Sequence, residues 1–260
     1  MNVLRVAFLH IEPLSGQIEY NRRLIEEAID IAAERGARWI VTPELCVSGY
    51  YFRGHVGTDW IRPQPDQWMS HLLEITRREG LTIFLSYPER DVSTGQLFNS
   101  VFVLGADGKI GGSYRKIEIH PGPEEDWSTP GSELVPIDID GVKVGILVCA
   151  DTRHPEKAAV LRQKGAQILV CPMAWGHKYS PGNRWERRTA ETGIPIWVCN
   201  RTGRERVVDW TRAESVIAKD GQRLLEMAVD RSAILFFDWD MKAMSPISRK
   251  FEVTYLDKLD

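Results

Sequence analysis

The stretch that most constrains this chain is a short apolar run that ends at a cysteine. Residues 142–148 are rich in β-branched side chains, which predicts a buried strand, and the run stops at Cys149. Pro155 suits the first turn of a helix that follows. At such a strand-to-helix turn, backbone N–H groups and the helix dipole favour a thiolate. Taken alone, however, a cysteine after a strand is more often a buried structural thiol.

Length and charge favour one α/β domain over residues 1–260 and exclude several kinds of partner. The 260 residues carry a formal net charge of −3, with acidic and basic side chains interspersed. Neither nucleic acid nor a membrane surface is therefore expected as a partner. The apolar run at the N-terminus is too short for a signal peptide, and no run reaches the length of a membrane span.

The cysteine pattern predicts reduced thiols and a cytoplasmic location. Each cysteine ends or follows an apolar run, and none belongs to a C-x-x-C pair. Such spacing is typical of neither a disulfide framework nor a zinc site, so no metal is expected. The four residues are Cys46, Cys149, Cys171 and Cys199.

The chain begins with a β-α-β pattern. A strand is predicted at residues 3–8, an amphipathic helix at 17–35 with Gly36 as its stop, and a second strand at 37–41. This order favours neighbouring strands with a helix on one face. Glu44 follows the second strand directly, where α/β proteins place their chemistry.

The alternation of strands and helices continues to the end of the chain. Residues 45–65 are rich in glycine and aromatic residues and are predicted to be a loop. Strands at 96–104 and 109–116 form a predicted hairpin with a turn at residues 106–108. Residues 117–131 have no hydrophobic period, and long irregular segments of this kind are commonly functional. Helices are also predicted at 66–79, 156–164 and 183–192, and strands at 81–87, 134–139, 167–171, 196–199, 215–218, 223–227 and 233–237.

This order of elements favours two sheets packed together with helices outside. The helices fall between pairs of strands, and no repeat, low-complexity segment or linker divides the chain. A doubly wound sheet gives a similar pattern, and the element order alone does not separate the two.

Three reactive side chains follow strand ends and together supply what acyl transfer needs. Cys149 can act as the nucleophile, Glu44 as the base for its proton, and Lys116 as the cation for a developing oxyanion. A buried glutamate can have its pKa raised toward neutrality, so no histidine is required. Each residue alone has an ordinary explanation, but the combination indicates a hydrolase.

Around these residues the sequence resembles the nitrilase superfamily of carbon–nitrogen hydrolases. Residues 43–45 with 48–50 resemble its glutamate motif, and residues 114–116 with Pro121 and 130–131 resemble its lysine motif. The cysteine motif is matched by residues 145–151 and 153–156. Further on, residues 188–191 and 200–203 fall where the family has its R-x-x-E helix and its N-x-x-G strand end. The resemblance covers nearly the whole chain in the expected order.

The resemblance implies a mixed α/β fold, a four-layer α-β-β-α sandwich that pairs into a homodimer. It also implies hydrolysis without a cofactor, by way of a thioester on Cys149. Family members carry a second glutamate after the lysine, which positions the substrate and the lysine. Glu124 is the choice for this role, with Glu125 as the alternative.

Two departures from the family pattern and several aromatic residues bear on the substrate pocket. Ala150 stands where the family often has an aromatic residue, which would widen the pocket, and residues 213–215 replace a G-x-S element. Tyr50, Trp127 and Trp175 follow the motifs in predicted loops and are candidates for the wall of a small substrate site.

These residues lead to the hypothesis of a thiol amidase that acts on small linear amides. A nitrilase or an N-carbamoyl hydrolase would use the same residues. A metal-dependent phosphoesterase on a similar sandwich is an alternative of another class, with Glu44, Asn99, Asp151 and His154 as ligands. That alternative leaves Lys116 and Cys149 without a role.

Overall fold

The computed structural model of the protein describes residues 3–179 and 181–257. Its helices are α1 (Ile18–Glu34), α2 (Arg53–Val56), α3 (Gln67–Glu79), α4 (Pro155–Gln163) and α5 (Arg184–Thr192). The first strands are β1 (Val3–His10), β2 (Trp39–Val41), β3 (Thr82–Arg90), β4 (Leu97–Leu104), β5 (Ile110–Arg115), β6 (Ile137–Ile139), β7 (Val142–Ile146) and β8 (Ile168–Pro172). The later strands are β9 (Ile196–Cys199), β10 (Arg204–Glu205), β11 (Val208–Asp209), β12 (Ser215–Lys219), β13 (Gln222–Met227), β14 (Ala233–Asp240), β15 (Ser245–Pro246) and β16 (Glu252–Tyr255).

Across these described ranges the strands form two large sheets and one small hairpin. The first sheet has the order β15-β14-β1-β2-β3-β4-β5, with β16 also paired to β14. The second has the order β13-β12-β9-β8-β7-β6, and β10 pairs with β11. The strands β1, β2 and β3 are mutually parallel, as are β7, β8 and β9. Each sheet therefore has a parallel centre flanked by antiparallel strands.

The alternating side chains of the strands divide the core into layers. Phe8 on β1 belongs to the core between the sheets, whereas its neighbours Ala7 and Leu9 pack against α1 and α3. On the second sheet, α4 approaches β7 closely because residue 145 is a glycine. A Cβ atom at Gly145 would lie 3.0 Å from Leu161 Cδ1 on α4. The predicted four-layer α-β-β-α sandwich is confirmed.

The sheets are held together by a cluster of aromatic side chains around Trp197. Its ring is fully buried and lies 5.0 Å from Trp239, 5.3 Å from Phe237 and 5.9 Å from Trp39, all in edge-to-face contacts. Such contacts add to the large apolar area that each ring removes from water. Because Trp197 lies on β9 and its partners lie on the first sheet, this cluster joins the two sheets.

Several local expectations were wrong in their details. The loop predicted at 45–65 contains the short helix α2. The strand before Cys149 ends at Ile146, and residues Cys149–Arg153 form a 3-10 turn before α4. The hairpin β10–β11 and the strands β15 and β16 had no sequence prediction. They are short, so their periodicity is too weak to detect.

Two further expectations concern the extent of the domain and membranes. The expected domain over residues 1–260 includes positions 1–2, 180 and 258–260, which lie outside the described residues, and it stays a prediction. In the described part of the chain no helix has both the length and the apolar character needed to cross a bilayer.

We predict that Trp197→Ala lowers the free energy of unfolding by about 3–5 kcal/mol, because it leaves a cavity among aromatic rings that cannot close fully. Urea titration followed by tryptophan fluorescence and circular dichroism measures this change. Val92→Ala is the control, since Val92 is 81% exposed and its loss should change stability by less than about 0.5 kcal/mol. Equal midpoints for the two variants would contradict the role given to Trp197.

Candidate active site

Glu44 lies just beyond the end of β2 and faces the second sheet. Its backbone N–H donates to the carbonyl of Met173 at 3.2 Å, which fixes the residue between the sheets. The carboxylate is fully buried. Its Oε1 accepts from Lys116 Nζ at 2.7 Å and from Asn99 Nδ2 at 3.0 Å, while Oε2 has no hydrogen-bond partner among the described residues.

The buried position of Glu44 raises its pKa. Burial raises the pKa most, Lys116 opposes this increase, and repulsion from Glu124 adds to it. The neighbouring Cys149 thiol lowers the pKa of Glu44. A carboxylate with a raised pKa beside a thiol can both accept and return a proton.

Lys116 follows β5 and is completely buried between two carboxylates. Its backbone N–H donates to Asn99 O at 2.8 Å, and its Nζ lies 2.7 Å from Glu44 Oε1 and 2.5 Å from Glu124 Oε2. Burial alone would lower the pKa of Lys116, but attraction to the two glutamates outweighs burial and raises it. Lys116 therefore stays a cation within the core.

Glu124 completes this buried group, whereas Glu125 is exposed. Besides Lys116, the Glu124 carboxylate accepts from Asn99 Nδ2 at 2.7 Å, from Tyr50 Oη at 3.2 Å and from the backbone N–H of His120 at 3.1 Å. Glu125 makes only a 3.4 Å contact to the N–H of Gly122 within the described chain. The structure thus brings Glu124, and not Glu125, to Lys116.

Cys149 has a left-handed backbone conformation with φ of +43°, which a residue with a side chain rarely adopts. The surrounding turn holds this conformation. Thr152 Oγ1 donates to the carbonyl of Cys149 at 2.7 Å, and the Asp151 carboxylate accepts from the N–H of Val148 at 3.1 Å and from Tyr114 Oη at 2.8 Å. The conformation places the thiol at the end of the turn, against Glu44.

The Cys149 thiol is protonated at rest. Burial raises its pKa most, Glu44 and Glu124 raise it further, and Lys116 opposes them. The nearby backbone of Ala174 lowers the pKa of the thiol. Two negative charges near the thiol outweigh one positive charge, so the thiol needs a base when it reacts.

The residues of the metal-site alternative do not form a metal-binding group. Glu44 and Asn99 belong to the buried group, but Asp151 supports the Cys149 turn, and His154 pairs with Glu118 at 3.1 Å. Among the described residues, no three histidine, cysteine, aspartate or glutamate side chains cluster so as to hold a metal ion. Asn99 instead donates to both buried glutamates, a role that the sequence analysis did not assign.

Cys149 opens to a cleft with a volume of about 230 Å³. Of the predicted pocket residues, Tyr50 and Trp175 line this cleft. Trp127 does not line it but packs against Phe52 at 5.0 Å between ring centroids, and Ala150 is buried in the turn after Cys149. The other lining residues are Tyr51, His120, Pro123, Arg153, Ala174, Gly176, Tyr179, Val207, Val208 and Trp210.

The wall at Trp175 is fixed by Asn200, the first residue of the N-x-x-G strand end. The Asn200 side chain accepts from the backbone N–H of Trp175 and donates to its carbonyl, both at 3.1 Å. Residues 207 and 208, at the hairpin β10–β11, also line the cleft. The hairpin has no sequence signal that would assign it to the cleft, because only its tertiary position brings it there.

Comparisons with known proteins agree with this fold. The family model described as Carbon-nitrogen hydrolase matches residues 5–247. The mouse protein named Omega-amidase NIT2 is 26% identical over 281 residues, covering 100% of this chain and 97% of its own length. A protein of Francisella tularensis named Citrullinase is 31% identical over 221 residues, covering 78% of this chain and 75% of its own length.

One solved structure that resembles this chain is a variant of the amidase from Nesterenkonia sp. AN1. It matches with a TM-score of 0.80 and 26% identity, covering 92% of this chain and 91% of that chain. That structure shows covalent addition of the acetamide moiety of fluoroacetamide at its active-site cysteine.

The fold and these similarities define an enzyme of the nitrilase superfamily. The family model spans nearly the whole chain, and the chain therefore belongs to the carbon–nitrogen hydrolase family. Its relatives and structural neighbours include proteins named omega-amidase and amidase. The resemblance found in the sequence motifs is confirmed.

We predict that iodoacetamide labels Cys149 before the other cysteines, because Cys149 lines the cleft with 6% exposure whereas Cys46, Cys171 and Cys199 have none. Since the thiolate is the reactive form and the pKa of Cys149 is raised, the labelling rate should still increase as the pH rises above neutrality. Peptide mass spectrometry after short labelling times measures both effects. Cys149→Ala serves as the blank, and earlier labelling of any other cysteine would refute the assignment.

Proposed function

We propose that this carbon–nitrogen hydrolase cleaves small linear amides through a thioester on Cys149. The observation that carries the proposal is the position of Lys116 between Glu44 and Glu124, beside a thiol that opens to a cleft. The similarity to proteins named omega-amidase and amidase supports an amide as the substrate.

In the first half-reaction, Glu44 accepts the thiol proton while the Cys149 sulfur attacks the amide carbonyl carbon. The C–S bond forms as the carbonyl π electrons move to oxygen. The Lys116 ammonium, together with the backbone N–H of Ala150, stabilises this oxyanion. The protonated Glu44 then donates its proton to the nitrogen, the C–N bond breaks, and ammonia leaves a thioester on the enzyme.

In the second half-reaction, water hydrolyses the thioester by the same route. Glu44 accepts a proton from water as the oxygen attacks the thioester carbon, and the oxyanion again lies beside Lys116. When the tetrahedral intermediate collapses, the C–S bond breaks and the sulfur regains a proton from Glu44. The carboxylic acid product leaves, and the enzyme returns to its resting state.

Glu124 acts in this proposal by holding Lys116 and not by transferring protons. Its carboxylate has contacts with Lys116, Asn99, Tyr50 and the His120 backbone, which leave it little freedom to move. Tyr50 and Trp175 line the cleft and would contact the substrate. Trp127 would shape the site from behind through its neighbours, and Ala150 would contribute its backbone N–H to the oxyanion.

The substrate class within the family is open to a direct assay. Short amides, ω-amides, N-carbamoyl compounds and nitriles can be compared by ammonia release, with Cys149→Ala as the blank. Faster turnover of N-carbamoyl compounds or nitriles than of any amide would replace the amide proposal. The homodimer and the cytoplasmic location stay predictions.

We predict that Glu44→Gln loses amide turnover by roughly 10²–10⁴-fold, because the variant keeps the shape of the side chain but cannot accept a proton. Lys116→Ala should lose amide turnover by roughly 10²–10³-fold, because the variant no longer has the cation that stabilises the oxyanion. An activated ester needs no proton for its leaving group, so it should still acylate Cys149 in Glu44→Gln, and the adduct should persist. Time-resolved intact mass spectrometry measures this.

Glu125→Gln is the matched control for these variants, since it removes a carboxylate from the same loop as Glu124 but from an exposed position. Its turnover should equal that of the unmodified enzyme. A tenfold loss of turnover corresponds to only about 1.4 kcal/mol in transition-state stabilisation. If Glu44→Gln turns over amides within about tenfold of the unmodified enzyme, then Glu44 is not the general base.

We predict that chelators leave turnover unchanged, because the proposed steps use only Glu44, Lys116, Cys149 and water. Activity after dialysis against EDTA should match activity after dialysis against buffer alone. Loss of turnover that zinc or magnesium restores would favour the phosphoesterase alternative, which is built on metal chemistry.

A further inference from the structure

The loop that carries Tyr50 is fastened to the hairpin β10–β11 by a buried carboxylate. Glu205, on β10, is only 6% exposed. Its Oε2 accepts from the backbone N–H of Tyr50 at 3.0 Å and from that of Tyr51 at 3.1 Å. Because two successive peptide groups donate to one carboxylate, the direction in which the Tyr50 side chain leaves the backbone is fixed by Glu205.

Arg201 holds Glu205 in this position. It is fully buried, and its Nη1 donates to Glu205 Oε1 at 2.5 Å, while its Nη2 donates to the carbonyl of Pro13 at 2.9 Å. Its guanidinium carbon also lies 4.3 Å from the ring centroid of Trp210, which lines the cleft. The planar fork of an arginine can make these contacts at once, and a buried pair of this kind depends on both charges.

Tyr50 connects this buried pair to the charged group beside Cys149. Burial raises the pKa of Tyr50 most, and repulsion from Glu124 raises it further, so the phenol keeps its proton. The Tyr50 Oη therefore donates to Glu124 Oε2 at 3.2 Å, and the same oxygen accepts from Lys116 Nζ. Movement of the Tyr50 loop would remove one of the contacts that hold Glu124.

We propose that Glu205 is a positioning residue for catalysis and acts through Tyr50 to hold Glu124. Glu124 in turn holds Lys116 where the oxyanion forms. This inference rests on the proposed amide hydrolysis, to which it adds a residue that is not among those lining the cleft. Small displacements of a group that stabilises the transition state slow a reaction strongly, so the effect of Glu205 is expected in kcat.

Glu205→Gln tests this role, because glutamine has one acceptor oxygen where the carboxylate has two. In either orientation its NH2 group faces a donor, so either Arg201 or the loop amides lose an acceptor. With the short amide that is turned over fastest in the ammonia-release assay, kcat should fall by about tenfold. An unchanged kcat, or a change in KM alone, would overturn the proposal.

Tyr50→Phe shows whether the effect passes through the phenol. This variant removes the hydrogen bond to Glu124 and should itself lower kcat by about tenfold. In the Tyr50→Phe background, Glu205→Gln should lower kcat by less than about threefold, because the contact that it displaces is already absent. Equal losses of kcat in the two backgrounds would show that Glu205 acts by another route and would overturn the proposal.

Asp66→Asn is the matched control, because Asp66 is also a largely buried carboxylate that pairs with an arginine. Its side chain is 12% exposed and lies 2.9 Å from Arg22, and it accepts from Tyr87 Oη at 2.7 Å. Its kcat should stay within about twofold of the unmodified enzyme, even where urea titration shows a lower stability. A loss of kcat equal to that of Glu205→Gln would indicate general loosening and contradict the proposal.

Arg201→Lys replaces Glu205→Gln if circular dichroism shows that the latter does not fold. Lysine keeps the positive charge but lacks the fork that bonds Glu205 and Pro13 together. The loss of kcat in Arg201→Lys should likewise shrink to less than about threefold beside Tyr50→Phe. Additive losses would overturn the proposal.

Hydrogen exchange separates the anchoring of the loop from the reaction. The amides of Tyr50 and Tyr51 should exchange at least about tenfold faster in Glu205→Gln than in the unmodified protein, as mass spectrometry of the peptide that contains them measures. Faster exchange with no turnover of any amide by the unmodified enzyme would support the anchoring by Glu205 and refute the proposed reaction. Equal exchange in the two proteins would refute the anchoring.

Discussion

The active-site end of the molecule depends on one buried ammonium group shared by two buried carboxylates. Lys116 joins the end of β2, through Glu44, to the irregular segment after β5, through Glu124. All three charges are removed from water, so each is tolerable only while the others stay in place. Removing one partner from such a group typically costs about 3–5 kcal/mol. Asn99 strengthens the group by donating to both carboxylates.

The net negative charge of this group also controls the thiol. Burial raises the pKa of Cys149 most and the two glutamates raise it further, so a free thiolate is unfavourable at rest. When sulfur attacks a carbonyl, the negative charge moves to the carbonyl oxygen, and in the proposed reaction this oxygen lies beside Lys116. The same group would thus disfavour the charge on sulfur and favour it on oxygen. Stabilisation that appears only as the charge develops is the kind that accelerates a reaction.

The sequence predicted the parts that depend on local pattern. Periodicity and strand ends located Glu44, Lys116 and Cys149 along the chain, and family resemblance supplied the sandwich. The remainder depends on tertiary contacts. Trp127 and Trp175 both follow motifs, but only Trp175 lines the cleft. Trp127 instead packs against Phe52, a tertiary contact that the sequence does not indicate. The positive φ of Cys149 also has no local signal, because the surrounding turn, and not a glycine, stabilises it.

The buried charged group beside the cleft and the wall of the cleft come from different parts of the chain. Hydrogen bonds from both sheets fix the buried group, whereas the wall includes Trp175, Arg153 and residues of the hairpin β10–β11. Substitutions in the wall can change which acyl group fits without moving Glu44 or Lys116. Such a division explains how proteins named amidase and citrullinase can share one fold with this chain. In the proposed reaction, substrate choice then follows from the side chains of this wall, which include Arg153 and Trp175.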